Sequence, residues 1–234
     1  MYKNRKEFLK KRYDPVDRKM KFNYHKEAPS RMGVILPKIK KAKAPMKLLD
    51  IGCYDGGVGL LLKNKFGKQC QIYGVDAADN SVKMALKNGI QAKLCDVTKG
   101  ISFESNMFDY VFAGEIIEHL YDTDFFLEEI KRVLKPNGIL ILTTPNFLSF
   151  GRRIYYLFGK GIFMESSFSL PDRAAGHIRY YTFNNLKELA KLHNFEPEMI
   201  FSDTVTFPWF RSDLLAKIFP TMGQSIIAFL RNRK

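Results

Sequence analysis

The 234-residue chain is 46% apolar, enough for one α/β domain with a full core, and its formal charge of +14 points to an acidic partner or a strongly solvated surface. No stretch approaches the roughly 18 continuous apolar residues of a membrane span, and no apolar run follows the basic N-terminus as a signal peptide requires, so a cytoplasmic protein is expected. Cys53, Cys70 and Cys95 are odd in number and lack metal-ligand spacing, which argues for buried thiols rather than disulfides or a zinc centre.

Residues 1–45 hold no strand-like run. Basic residues from Lys3 to Lys43 are interleaved with Tyr2, Phe8, Leu9, Tyr13, Met20, Phe22 and Tyr24, which predicts one or two amphipathic helices ending near Pro45. This helical extension either packs on the core or meets phosphate, nucleic acid or an anionic membrane. His25 is its one candidate for a substrate contact.

From residue 46 to the end a single domain is expected. Strands are read at 47–52, 71–76, 91–95, 108–113 and 139–144, with crossover helices at 57–66, 79–88 and 122–135, so the sheet is parallel and doubly wound. Asp79 is expected to cap the second helix, and Lys135-Pro136-Asn137-Gly138 to stop the third. Residues 147–176 then break the rhythm with Phe147, Phe150, Arg152, Arg153, Tyr155, Tyr156 and Phe158, and are read as an inserted lid after strand five or a packed insertion. Its aromatic and basic mixture also suits a peripheral membrane contact. Thr182 caps a helix over 183–192, residues 198–206 form strand six, 207–219 an aromatic, partly helical hairpin, and 225–230 the last strand.

The first strand runs into the Gly-rich turn Gly52-Cys53-Tyr54-Asp55-Gly56-Gly57, and glycine there accepts positive φ and lets backbone N–H groups approach a ligand. Three successive strands finish near a carboxylate, Asp50, Asp76 and Asp96, at the sheet edge where α/β folds bind nucleotides. Asp76 follows the turn at the distance of a ribose-binding acid.

These landmarks, LLDIGCYDGG, YGVD, LCDV, FDYVFAGEIIEHL, LKPNGILILTTPN and GHIRYYTFNNLKELAKLHNF, resemble the class I S-adenosylmethionine-dependent methyltransferases, in particular the group containing the ubiquinone-biosynthesis O-methyltransferases. The turn departs from the family's second glycine at Tyr54. The resemblance implies a Rossmann-like, mostly parallel seven-stranded sheet with a C-terminal antiparallel edge strand, an N-terminal extension capping the cleft, and S-adenosyl-L-methionine as methyl donor. It implies cofactor contacts at Asp50, Gly52, Cys53, Tyr54, Asp55 and Gly56 for the amino-acid end, Asp76 for the ribose, Ala77, Asp96 and Val97 for the adenine, and Glu115 beside them.

Methyl transfer needs alignment, exclusion of water and removal of the acceptor's proton. His119 is the leading base, against the alternative of a polar residue at a helix start, and His177 is a second base, a metal ligand or a lid anchor. Glu115, Glu118 and His119 have i, i+3, i+4 spacing, so one helical turn would bring them together, similar to the metal site of the ubiquinone O-methyltransferases and small-RNA methyltransferases. A divalent metal is therefore an option that the sequence does not assign. Arg179 faces either an anionic group or a structural ion pair. The expected reaction is methylation, at oxygen, of a small or carrier-linked acceptor of glycan, lipid or quinone type, anionic where Arg179 faces it. An RNA methyltransferase and a non-catalytic cofactor-binding interaction protein remain the alternatives.

Overall fold

The structure is a computed structural model that describes residues 31–40, 45–160, 176–207 and 209–234. His25, most of the N-terminal extension and the central part of the lid lie outside the described residues.

Among the described residues, a helical turn at 31–35 is followed by nine strands and six α-helices in order. They are β1 (Met46–Ile51), α1 (Gly57–Phe66), β2 (Cys70–Asp76), α2 (Asp79–Lys87), β3 (Gln91–Leu94), β4 (Phe108–Gly114), α3 (Thr123–Val133) and β5 (Leu134–Pro145). Then come α4 (Phe150–Leu157), α5 (Phe183–Leu192), β6 (Phe195–Phe201), β7 (Val205–Phe207), β8 (Phe210–Ser212), α6 (Asp213–Ile218) and β9 (Ser225–Asn232). The main sheet has seven strands in the order β3-β2-β1-β4-β5-β9-β6, and β7 with β8 forms a separate two-stranded hairpin.

The sheet is the Rossmann-like one expected, mostly parallel with a single strand, β9, running against its neighbours. One detail differs from the expectation: β9 is the second strand in and β6 is the edge. Strand six also comes earlier than 198–206, because the chain leaves the sheet after Phe201 and re-forms strand only in the hairpin. Asp203 makes that break, its Oδ1 accepting the N–H groups of Thr204 at 2.8 Å and Ser225 at 3.1 Å.

Both faces of the sheet are covered, and the period-two alternation of the strands sorts side chains between them. On one face Leu49, Ile51, Leu140, Leu142, Ala228 and Leu230 pack with Phe126 and Ile130 of α3 and Leu186 of α5. On the other, Leu48, Ile141, Ile227 and Phe229 pack with Val58 and Leu62 of α1, Ala85 of α2, and Met32 and Ile35 from the helical turn at 31–35.

The helix caps follow sequence chemistry with two corrections. Thr182 and Asn185 form a reciprocal capping box at the start of α5, as the Thr182 reading anticipates. Asp122 caps α3 by accepting the Phe125 N–H at 2.8 Å. Asp79, however, is the first residue of α2 rather than its cap, which is Ala78 without a side-chain bond. Lys135-Pro136-Asn137-Gly138 does not stop α3, which ends at Val133; it opens β5 instead, at a register shift against β4.

Candidate active site

The Gly-rich turn closes at the carboxyl end of β1. Gly52 and Cys53 both donate backbone N–H to the Val75 carbonyl, at 2.8 and 3.0 Å, which locks the turn onto β2. Three residues take left-handed backbone: Gly52 at φ +71°, Gly56 at +82° and Tyr54 at +49°. Tyr54 thus adopts the conformation that glycine holds in the resembled family, at a cost of about 1–2 kcal/mol. Its N–H donates to Asp76 Oδ2 at 2.9 Å, and the Ala78 N–H to Asp76 Oδ1 at 2.9 Å, so β2's terminal acid ties the turn to the start of α2.

Asp50 is fully buried, and its Oδ2 has no hydrogen-bond partner. Burial, followed by the neighbouring Asp76 and Asp55, raises its carboxyl well above the ordinary range. Burial also raises Asp76, against the pull of the N–H groups it accepts. The Cys53 thiol is pushed up by burial and by the same acids. Asp55 accepts the Gly57 N–H at 2.9 Å, completing the start of α1. Ala77 continues β2 into α2, and Asp96 caps the turn Val97–Lys99, accepting from the Thr98 hydroxyl at 2.6 Å and Lys99 Nζ at 2.7 Å. Val97 packs against the core.

At the end of β4 the chain kinks. Glu115 has φ +57°, and Ile117–His119 is a 3₁₀ turn, so Glu115, Glu118 and His119 do not share one helical face. Glu115 Oε1 instead meets Arg31 Nη1 at 3.0 Å and accepts the Thr143 hydroxyl at 3.0 Å. Glu118 turns inward. It is 1% exposed, its Oε2 accepts the Thr144 hydroxyl at 3.0 Å, and its Oε1 has no hydrogen-bond partner. That oxygen lies 4.0 Å from His119 Nε2 and 3.9 Å from His177 Nε2.

The two imidazoles are edge to face, with centroids 4.9 Å apart, and His119 Nδ1 is 3.0 Å from the Gly176 carbonyl. Ligand atoms of Glu118, His119 and His177 all fall within 4.8 Å of one another, a donor set of one carboxylate and two imidazoles suited to a divalent transition metal. Burial, then Glu115, raises the Glu118 carboxyl well above its usual range. Arg179 makes no ion pair among the described residues; it donates to the backbone carbonyls of Leu120, at 3.0 Å, and Tyr121. With Ile178 N–H bonded to the Glu118 carbonyl at 2.9 Å, it pins the His177 segment to the β4 turn.

A cavity of about 540 Å³ has Arg31, Glu115, Ser149, Arg152, Tyr155 and Gln224 among its walls, and of the acids and imidazoles at the end of β4 only Glu115 lines it. Arg31 is shared between Glu115, Ser225 Oγ at 2.8 Å and Asp203 at 3.6 Å. Arg152 donates only to the Asn146 carbonyl and makes no ion pair among the described residues, and burial lowers its pKa. Nothing in the sequence singles out Arg31 among the many cations before β1, nor Arg152 from Arg153 beside it.

A mostly parallel sheet whose first two strands carry an acid at or next to their carboxyl ends, beside a Gly-rich turn, is the arrangement at which Rossmann-like folds bind nucleotides. The family model described as a methyltransferase domain matches residues 42–195, and the chain belongs to that family, the class I S-adenosylmethionine-dependent methyltransferases. Phosphoethanolamine N-methyltransferase 2 of Caenorhabditis elegans is 30% identical over 168 residues, covering 68% of this chain and 34% of that protein. Ubiquinone biosynthesis O-methyltransferase of Bartonella bacilliformis is 31% identical over 137 residues, covering 52% of this chain and 54% of that protein. The matches therefore span about a third to a half of those relatives' length. A methyltransferase solved in complex with the Trm112 activator of Haloferax volcanii agrees in fold, with a TM-score of 0.69 at 14% identity over 97% of this chain and 98% of that one. No helix of the described residues is long and apolar enough to cross a membrane.

Proposed function

We propose that the chain transfers a methyl group from S-adenosylmethionine to an oxygen of an anionic small or carrier-linked acceptor. The observation that carries this is Glu118 Oε1, a buried oxygen without a hydrogen-bond partner, flanked by the Nε2 atoms of His119 and His177. A hydroxyl acceptor must lose its proton during transfer, and an imidazole backed by a carboxylate is suited to take it.

The crevice suits the cofactor on its own chemistry. Asp50 Oδ2 is a buried acceptor without a donor, and Asp76 is a strand-end carboxylate with lone pairs left after its two N–H bonds. In this reading Asp50, with Gly52, Cys53, Tyr54, Asp55 and Gly56, holds the amino-acid end. Asp76 accepts the ribose hydroxyls, and Ala77, Asp96 and Val97 border the adenine. When bound, the cofactor supplies an electrophilic methyl group on a sulfonium. His119 is the base, His177 and Glu118 orient it, and Arg152 holds the acceptor's anionic group in the cavity. Glu115 belongs to the acceptor side, held by Arg31.

One observation favours a metal-assisted form of the same reaction: the three ligand atoms of Glu118, His119 and His177 fit a divalent ion that would polarise the hydroxyl. A nitrogen acceptor is the second reading, favoured by the phosphoethanolamine relative that matches 68% of this chain. The test is incubation with methyl-labelled S-adenosylmethionine and matched anionic phenols and amines. Label is expected in the phenol. Label confined to the amine overturns the oxygen assignment, and no calorimetric binding of S-adenosylhomocysteine at millimolar concentration overturns the enzyme.

A further inference from the structure

Exposed apolar side chains gather in two neighbouring stretches of the chain. Leu157 and Phe158 at the end of α4 are 78% and 76% exposed, and Trp209 at the tip of the β7–β8 hairpin is 86% exposed. Leu214 and Ile218 on α6 and Phe219 after it are also exposed. These elements pack together: the Phe150 ring of α4 lies 5.8 Å from Phe207 and 6.1 Å from Phe210, and Phe207 lies 5.7 Å from Trp209. Large exposed apolar side chains carried on elements that pack together mark an interaction surface rather than scattered surface residues.

The charges interspersed among them are mostly positive. Residues 148–160 and 209–222 contain Arg152, Arg153, Lys160, Arg211 and Lys217 against the single carboxylate Asp213, which pairs with Arg211 at 3.9 Å. Lys160 and Lys217 make no ion pair among the described residues. Aromatic and aliphatic tips set among cations match the interface of an anionic bilayer, where rings sit at headgroup depth and each cation gains from the surface potential.

We propose that α4, the β7–β8 hairpin and α6 form a docking surface for an anionic lipid membrane, with Trp209 inserted at the headgroup level. The same α4 and β7 wall the cavity through Gly151, Arg152, Tyr155, Thr206 and Phe207, so docking sets the cavity at the bilayer surface. Lipid binding itself does not rest on methyl transfer, because it needs neither cofactor nor acceptor.

Trp209 is the only tryptophan of the chain, so its emission reports this face alone. The full chain is titrated with vesicles of phosphatidylcholine containing about one third phosphatidylglycerol, and with phosphatidylcholine alone, at low and high salt. The expected result is a blue shift with the anionic vesicles, weakened by salt, and quenching by brominated acyl chains. Leu214→Asp combined with Ile218→Asp, which leaves the reporter in place, is expected to lower the bound fraction about tenfold or more in a vesicle spin-down. Unchanged binding of S-adenosylhomocysteine verifies that this variant is folded. Sedimentation of the wild type with vesicles without any Trp209 shift assigns binding to another surface and overturns the proposal. No sedimentation with either vesicle overturns it too, and leaves the face to a protein partner.

Discussion

Glu118 Oε1 lies 3.9 Å from His177 Nε2, so a carboxylate from the end of β4 meets an imidazole nearly sixty residues further along the chain. His119 joins them from the same turn as Glu118, with its own Nε2 at 4.0 Å. His119→Ala is expected to lower turnover roughly 10²-fold or more while leaving cofactor binding intact. Chelation separates the two forms of the mechanism. Turnover abolished by a chelator and restored by a divalent metal marks the ion, and turnover indifferent to it marks the imidazole alone.

Arg152→Gln tests the acceptor's charge. The half-buried guanidinium makes one hydrogen bond among the described residues, to the Asn146 carbonyl, and Arg152 lines the cavity. A charge-assisted contact of this type contributes about 1.5–3 kcal/mol. KM for an anionic acceptor is therefore expected to rise about 10- to 100-fold with kcat changed far less. Steady-state kinetics with an anionic acceptor and its uncharged ester decides it, because an equal rise for both leaves no role for the anion.

Asp50→Asn is expected to stabilise the protein and weaken the cofactor. Burial, then Asp76 and Asp55, raises the Asp50 carboxyl in the folded state, so the native protein holds that proton more tightly than the unfolded chain. The stability this contributes is complete below the ordinary carboxylate value and is lost as pH rises through the raised one. Asparagine does not titrate, so at neutral pH the variant is expected to be more stable by about 1–3 kcal/mol, with the gap closing near pH 4. Thermal melts from pH 4 to 8 measure it. Calorimetry with S-adenosylhomocysteine is expected to show at least a tenfold loss of affinity.

Gly56→Ala tests the turn. At φ +82° a Cβ is strained, and it would stand 2.8 Å from Ile90 Cγ1 and 3.4 Å from the Ala85 Cα. Left-handed strain and overpacking together cost about 2–4 kcal/mol. Chemical denaturation is expected to show that loss, and Ile90→Ala, which removes the clashing Cγ1, is expected to be less than additive with it in the double variant.

Much of the fold is legible because one physical rule writes it. Leu48 and Leu49, or Ile141 and Leu142, enter opposite cores by simple alternation, and Thr182 with Asn185 announces a helix by local hydrogen bonding. The position of β9 is not legible in this way, since Ile226 and Ile227 would suit either an edge or an inner strand. Only the partners that β5 and β6 provide decide it. The site divides likewise. Spacing brings Glu118 and His119 together, as the structure does, but wrongly adds Glu115, because an i, i+3, i+4 face presumes regular helix and the chain there is left-handed at Glu115 and 3₁₀ beyond it. Arg31 comes to Glu115 through tertiary packing of the turn at 31–35, which no local pattern encodes.

The sheet order has a kinetic side. β9 bonds to β5 through Ile139 to Pro145 and to β6 through Phe195 to Phe201, so it fills a gap between two strands that are both synthesised before it. A nascent chain on the ribosome that has released β1 to β8 still presents, unpaired, the edges of β5 and β6 that β9 will join. Those edges are the stretch in which this protein most needs shelter from aggregation during synthesis, until Ser225–Asn232 clears the exit tunnel.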